Sequence, residues 1–449
     1  MPTPTNGAMV AEIRDLHGRT YRVGEQPHDI MGRPRGWMVW LPWVAMAGIS
    51  VLQYGYSIAA IALHATAGWS ATGAFWVLAL WVMFQAGAAA LTATLRHRSA
   101  VAPSRAMLLG AFLCSTGPLT LAFTDGLWPA LLGYSVMCGS GAGIVYATCT
   151  STVARWFPEA RGSRIGYVSG AFGYGAVPFI VFFAAGLGPA NHTEIFTVVG
   201  LCIVAVVAFA GFFFKDPPQG WWPHDVNPKL WAVDKRLNRS LQRNAPAVRQ
   251  YAPGQAVRTA AFVVMYCIMV FAAAGFLLAV AYVPIVAIAN GLSPVIAATA
   301  LGLLAVVSGA GRAVASHVSD RFGRRETFSA ALLLAGCAHL GLVYSASIQQ
   351  AAPFVAFSAL SGLAGGAFYP LLASLVADYF GERNAVRNFG LVYSAKAFGG
   401  LIGIGLPAFL VSSPALMDVF VAAGLISLCA AVTTRLLQRP GHLLTRLAR

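Results

Sequence analysis

Apolar residues run along this chain in long blocks, each ended by a short polar or basic segment. A helix needs about 20 apolar residues to cross the hydrocarbon of a bilayer. Twelve blocks meet or approach that length: 37–60, 72–95, 105–124, 128–153, 163–187, 194–214, 260–289, 295–317, 327–346, 352–377, 388–411 and 415–436. The longest polar interruption, 215–259, bears prolines and bases and divides the blocks six and six. Two six-helix bundles joined by a long loop are the layout of a secondary transporter. The pattern therefore predicts an all-α membrane protein, with bundles at 37–214 and 260–436 flanked by tails at 1–36 and 437–449. The first apolar block is too long for a signal-peptide core and no small-residue cleavage site follows it, so it reads as a retained first helix.

The basic residues test the helix count. Of 30 Lys and Arg, 28 fall in alternate loops, all on one side of a twelve-helix topology. Arg14, Arg19, Arg22, Arg33 and Arg35 precede helix 1, and Arg96, Arg98 and Arg105 follow helix 2. Arg155, Arg161 and Arg164 follow helix 4, and eight bases occupy the central loop. Arg321, Arg324 and Arg325 follow helix 8, Arg383 and Arg387 follow helix 10, and Arg435, Arg439, Arg446 and Arg449 close the chain. Basic loops stay in the cytoplasm, which places both termini inside a cell membrane. The net charge of +15 thus reads as topology, and no nucleic acid is expected as a partner. Composition agrees: 58% of residues are hydrophobic and 10% charged, against about 25% charged in a soluble domain. The seven cysteines, all in apolar runs without a CxxC pair, read as small buried thiols rather than disulfides or metal ligands. No cofactor or metal is expected, and a monomer suffices.

Two cations remain inside the blocks, Arg312 in helix 8 and Lys396 in helix 11. The spans place them at similar depth, about 8–14 Å from one membrane face. A cation there costs at least about 2.5–3.5 kcal/mol and normally finds an acid. The 15 acids lie in tails, loops or helix ends, so a mobile anion is the simplest partner. Arg offers a carboxylate a planar fork and Lys a point charge. Arg312 can alternatively reach along its helix toward Asp320. Gln53, Tyr54, Tyr56, Tyr146, Tyr174, Tyr369 and Tyr393 are polar or aromatic candidates to complete a cavity, with Tyr393 three residues before Lys396 on the same face. Glycine clusters at 139–143, 170–175 and 399–403 permit close helix approach. No HExxH motif, catalytic acid pair or Ser/His/Asp cluster occurs at depth, which argues against a membrane enzyme.

Particular segments extend this reading. SDRFGRR, residues 319–325, resembles a cytoplasmic loop of the major facilitator superfamily in its second-half copy, while the first-half equivalent LRHRSAVAPSR lacks the acid and the glycine. GIVYAT, ARWFPEARGSRIG, KDPPQGW, YPLLASLVADYFGERN and FGLVYSAKAFGGLIG resemble the oxalate/formate antiporter family and its monocarboxylate-transporting relatives. The resemblance implies that an arginine in helix 8 and a lysine in helix 11, here Arg312 and Lys396, hold a carboxylate. It implies a surrounding box whose nearest matches are Gln53, Tyr54, Tyr146, Tyr369 and Tyr393. The family often has tryptophan where Tyr393 stands. Asp320 and Arg324 would form an inner latch. The expectation is a carrier of small organic anions that works by alternating access and exchange. Proton-linked monocarboxylate symport is the alternative, with His339 or the substrate carboxyl carrying the proton.

Overall fold

The structure of the chain, a computed structural model, describes residues 11–15, 20–98 and 101–441. Arg19, Arg446 and Arg449 of the charge pattern lie outside the described residues, as do parts of both tails. Among the described residues, twelve helices are long and apolar enough to cross a membrane. They are α1 (Trp37–His64), α2 (Ala71–His97), α3 (Pro103–Phe123), α4 (Leu127–Trp156), α5 (Pro158–Gly186), α6 (His192–Phe212), α7 (Ala260–Ala289), α8 (Pro294–Phe322), α9 (Arg324–Ser347), α10 (Ala351–Phe380), α11 (Ala385–Leu410) and α12 (Ala415–Leu436). Their number and order are those the apolar blocks predict. The first six pack chiefly on one another, as do the last six, and α2–α11 and α5–α8 are the main seams between the halves.

The ends differ from the sequence reading because charged residues continue several helices. α2 runs on through Arg96, α8 through Asp320 and α10 through Asp378. Arg312 then stands ten residues from the end of α8 and Lys396 eleven from the start of α11. At 1.5 Å per residue that is about 15 Å, deeper than the apolar blocks suggest. Serine and threonine caps start other helices: Ser70 accepts from Gly73 N at 3.0 Å and Ser293 from Ile296 N at 3.3 Å, occupying donors that no helical carbonyl reaches. After α8 and α10 the chain turns at Gly323 and Gly381, whose φ values of 102° and 89° suit a residue without Cβ.

Two elements expected as polar tail and loop fold together on the basic face. β1 (Ala11–Arg14) pairs antiparallel with β2 (Thr20–Val23), and β2 pairs parallel with β3 (Trp221–Trp222) of the central loop. Trp221 lies against Trp156 at the end of α4, centroids 5.1 Å apart, and donates its indole N–H to Glu25 O at 2.9 Å. Farther on, the loop reaches the last six helices. Asn244 is buried, donating to Ser319 O at 3.1 Å and accepting from Arg324 N at 2.9 Å, which fastens the loop to the corner at Gly323.

Two sequence readings need correction. Cys114, Cys138 and Cys149 are buried, but Cys202, Cys267, Cys337 and Cys429 are exposed on the outer apolar surface. A thiol is small and weakly polar, so a lipid-facing position suits it as well as a core. Arg96 is no loop base. It is 1% exposed, and its guanidinium donates to Ser151 at 2.8 Å, Thr152 at 2.9 Å and both oxygens of Asp216 at 2.8 and 2.9 Å. Asp216 also pairs with Arg155 at 2.8 Å. The acid missing from LRHRSAVAPSR is thus supplied by the segment after α6, which ties α2, α4 and the central loop together. Breaking such a buried pair by removing one partner costs about 3–5 kcal/mol. Arg96→Gln is expected to lower the thermal unfolding midpoint of the purified protein, and Arg96→Lys to recover part of the loss; unchanged midpoints in both would show that the network contributes nothing to stability.

Candidate functional site

Every residue expected to line the central cavity except Tyr56 and Tyr174 comes together at the middle of the molecule. Gln53, Tyr54, Tyr146, Arg312, Tyr369, Tyr393 and Lys396 are all at most 6% exposed. Two of the helices that carry them, α1 at Gly55 beside Tyr54 and α11 at Ser394 between Tyr393 and Lys396, loosen by a single residue there while the backbone stays helical.

Lys396 donates from Nζ to Gln53 Oε1 at 2.9 Å and to Gln85 Oε1 at 3.0 Å. Gln85 donates from Nε2 to the Tyr393 hydroxyl at 3.2 Å. Arg312 donates to the carbonyl of Ser169, and from Nη2 to the Tyr54 hydroxyl at 3.3 Å. The Tyr54 hydroxyl also meets Ser308 Oγ at 3.0 Å, and Ser308 gives its own proton to Ala305 O at 2.9 Å. Tyr54 therefore accepts from Arg312 and donates to Ser308, leaving it a positioning group for the guanidinium. Arg312 does not extend toward Asp320.

All four hydrogen bonds of the two cations cross from the last six helices to the first six. Arg312 on α8 reaches α5 and α1, and Lys396 on α11 reaches α1 and α2. Both cations lie over one ring: Arg312 Cζ is 5.9 Å and Lys396 Nζ 5.7 Å from the Tyr369 centroid. Arg312 also lies 5.6 Å from Phe172, and Lys396 5.8 Å from Tyr393. Tyr393 stacks on Tyr146 at 5.1 Å, and Phe276 packs beside Tyr54 and Tyr369, 6.4 Å from each. Such faces stabilise a cation without neutralising it. Among the described residues, which include all 15 acids, no carboxylate pairs with either cation. Arg312 Nε and the Tyr369 hydroxyl are buried without hydrogen-bond partners among them.

The site is closed on both sides. Gly170 and Gly309 cross so tightly that a Cβ on Gly170 would lie 2.7 Å from the Gly309 carbonyl, so α5 and α8 touch through backbone. Along the other seam Thr72 donates to Ala408 O at 3.0 Å. Phe75 meets Tyr282 at 4.5 Å on the side away from the basic face. On the basic side a cavity of about 130 Å³ lies between α5, α8, α10 and the central loop. Arg324 stands in its wall. It pairs with Asp378, weakly with Asp320 at 3.5 Å, and donates to Ser374 O at 3.2 Å and Ser240 at 3.0 Å. Ser374 is the point where α10 meets Gly162 at the start of α5. Asp320 and Arg324 thus brace the basic-side end of the last six helices rather than bridging directly to the first six.

Sequence reasoning missed Gln85, Phe172, Phe276 and Ser308. Gln85 had a signal, a lone amide in the apolar block of helix 2. The others are ordinary apolar-helix residues by type. Two other candidates lie elsewhere: the Tyr56 hydroxyl donates to Ala74 O at 2.9 Å, and the Tyr174 ring fills the seam against Gly309. His339 binds Gly275 O through Nε2 at 3.1 Å and packs on Phe420, outside the aromatic box. Among the described residues no His, Cys, Asp and Glu group of metal-binding size occurs.

The family model of the Major Facilitator Superfamily matches residues 43–353 and 264–447. The chain belongs to that superfamily. It is similar to the oxalate:formate antiporter of Oxalobacter formigenes, 25% identical over 341 residues that cover 76% of this chain and 77% of that one. It is also similar to monocarboxylate transporter 11 of Mus musculus, 24% identical over 84% of this chain and 82% of that one. The solved structure of a proton:xylose symporter superposes with a TM-score of 0.65 at 15% identity, covering 90% of this chain and 96% of that one, and shares the fold. This superfamily member is a multi-pass transporter, not an enzyme.

Gln85 offers a direct test of the site. Gln85→Leu removes one of the two acceptors of Lys396 and the donor to Tyr393 while adding only apolar surface. A hydrogen bond to a charged group contributes about 1.5–3 kcal/mol. Membrane insertion is expected to be normal and flux per inserted molecule to fall at least about tenfold. Full flux in the leucine variant would remove Gln85 from the site.

Proposed function

We propose that the protein carries small carboxylate anions across a cell membrane by alternating access, exchanging one anion for another. The single observation that carries this reading is the pair Arg312 and Lys396, enclosed together and facing no acid. A carboxylate supplies the missing charge, accepts from the unfilled Arg312 Nε and receives the Tyr369 hydroxyl. Substrate neutralises the cations that otherwise depend on cross-seam dipoles, and the bundles at 37–214 and 260–436 rock about the site. Exchange follows from the same electrostatics, because a returning carrier loses those dipoles unless an anion replaces them. Likeness to an antiporter named for oxalate and formate and to a monocarboxylate transporter supports a carboxylate. Proton-linked symport of a monocarboxylate is the second reading, favoured by the latter relative.

The basic face is cytoplasmic in this reading, with both termini inside. A tag in the loop 215–259 is expected to react with an impermeant reagent only in inverted vesicles; reaction from outside intact cells would reverse or break the topology.

Lys396→Gln tests the mechanism. Removing a membrane charge relieves a cost, so insertion should be normal. Carboxylate affinity should fall roughly 10- to 150-fold, the equivalent of about 1.5–3 kcal/mol. Arg312→Gln should behave alike, and Arg312→Lys should recover only part because an ammonium cannot grip a carboxylate bidentately. Counterflow of a carboxylate panel in proteoliposomes, with binding and expression measured together, decides the matter: normal affinity in a well-folded Lys396→Gln protein would sink the mechanism. Uptake of a monocarboxylate that follows a proton gradient without counter-anion would favour symport.

A further inference from the structure

The seam between α2 and α11 ends, on the basic face, in positive charge on both sides. Gly390 of α11 packs against α2, where its Cβ would meet Ala93 at 3.2 Å and Ala90 at 3.4 Å. The next turns carry His97 at the end of α2 with Arg98 just after it, and Arg387 in the first turn of α11 with Arg383 just before it. His97 lies within electrostatic reach of Arg98, Arg155, Arg383 and Arg387. Nearby acids are already engaged. Asp216 holds Arg96 and Arg155, and Glu382 lies on the side of Asp378. Arg387 keeps a buried Nε with no hydrogen-bond partner among the described residues. The cap residue of α11, Asn384, makes no side-chain cap bond; its amide turns instead to Tyr251 O at 3.2 Å. Two helices from opposite halves, packed side by side, thus bring like charges together at the basic end of their seam, where closing it concentrates the repulsion.

We propose that this cluster binds a phosphate-type oxyanion that bridges α2 and α11 and holds the two halves together on the basic face. Arginine forks suit a tetrahedral oxyanion, and the N-terminal end of α11 adds a favourable dipole. Two sources share this chemistry. Leu91 and Leu95 are exposed on α2 just before the cluster, so an anionic lipid headgroup can reach it from the side. Free phosphate can reach it from solvent. In either case closure of the basic side responds to an anion that is not transported, and the central carboxylate site plays no part in the argument.

The test uses the full chain with its seven cysteines replaced and one reporter, Ser374→Cys, in the wall of the basic-side cavity. Its rate of reaction with an impermeant maleimide is read in nanodiscs without any carboxylate. In neutral phosphatidylcholine the rate is expected to be high. It should fall at least about threefold with phosphatidylglycerol if the source is a headgroup, or with inorganic phosphate if it is free, and chloride at matched ionic strength should not reproduce the fall. The double variant Arg383→Gln/Arg387→Gln should lose the response and react slowly throughout, because the repulsion is gone; a damaged fold would react faster. Equal protection by chloride, no response to either phosphate source, or a response that survives the double variant would each overturn the proposal. Because the readout contains no carboxylate, failure of the transport reading leaves it untouched.

Discussion

Two cations buried over one tyrosine ring, with no acid to answer them, constrain everything around the centre of this protein. Each costs at least about 2.5–3.5 kcal/mol in a membrane. The protein meets that cost with neutral dipoles: two amide oxygens for Lys396, a carbonyl and a phenol for Arg312. Every one of those dipoles belongs to the opposite half of the molecule. The charges are therefore both the candidate site and the central contact between the halves. Pulling the halves apart strips the cations of their partners, so on the carboxylate reading the electrostatics of binding and the mechanics of opening rest on the same four hydrogen bonds.

The surrounding architecture serves this arrangement. Glycines let α5 and α8 meet through backbone at Gly170 and Gly309, which brings Arg312 within reach of the Ser169 carbonyl. Gly143 of α4 packs on the carbonyl of Gln85, fixing the turn of α2 that holds Lys396. The basic-side ends of the halves are braced by unlike wiring. In the second half Arg324 gathers Asp378 and Asp320 from its own helices. In the first half the acid is borrowed from the chain beyond α6, where Asp216 joins Arg96 to Arg155. The central loop therefore takes part in the folding of the first half, and through Asn244 it also grips the second.

The helix count, the six-plus-six division and the two cations were legible because a bilayer imposes a length and a charge rule on every span. Arg312 and Lys396 stood out for the same reason, being the only bases away from helix ends. Helix ends were less legible: Arg96 and Asp378 look like loop charges until their partners are known, and those partners are distant in sequence. Gln85 was visible as a polar residue in an apolar run but had no reason to be preferred over many serines and threonines. Phe172 and Phe276 could not be read at all, since an aromatic that faces a cavity is indistinguishable by type from one that faces lipid. The pairing of β2 with β3 depends on a fold that brings residues 20–23 and 221–222 together, which no local pattern encodes.

The unequal satisfaction of the two cations bears on how a carboxylate would enter. Lys396 has two oxygen acceptors in place, whereas Arg312 keeps an unfilled Nε, and the Tyr369 hydroxyl, on the ring the guanidinium overlies, is also unpaired. On the carboxylate reading, a first carboxyl group gains most at Arg312, where it fills open donors without displacing any protein acceptor. A second carboxyl group has to compete with Gln53 and Gln85 for Lys396, exchanging two neutral acceptors for a charged one. A monoanion then leaves Lys396 on its amides, and a dianion releases them, loosening the contacts of α11 with α1 and α2. His339 stands outside the box, turned to Gly275 and Phe420. On the same reading, the charge of the substrate, more than its size, is the property through which this site would distinguish one anion from another and pass that difference on to the seams.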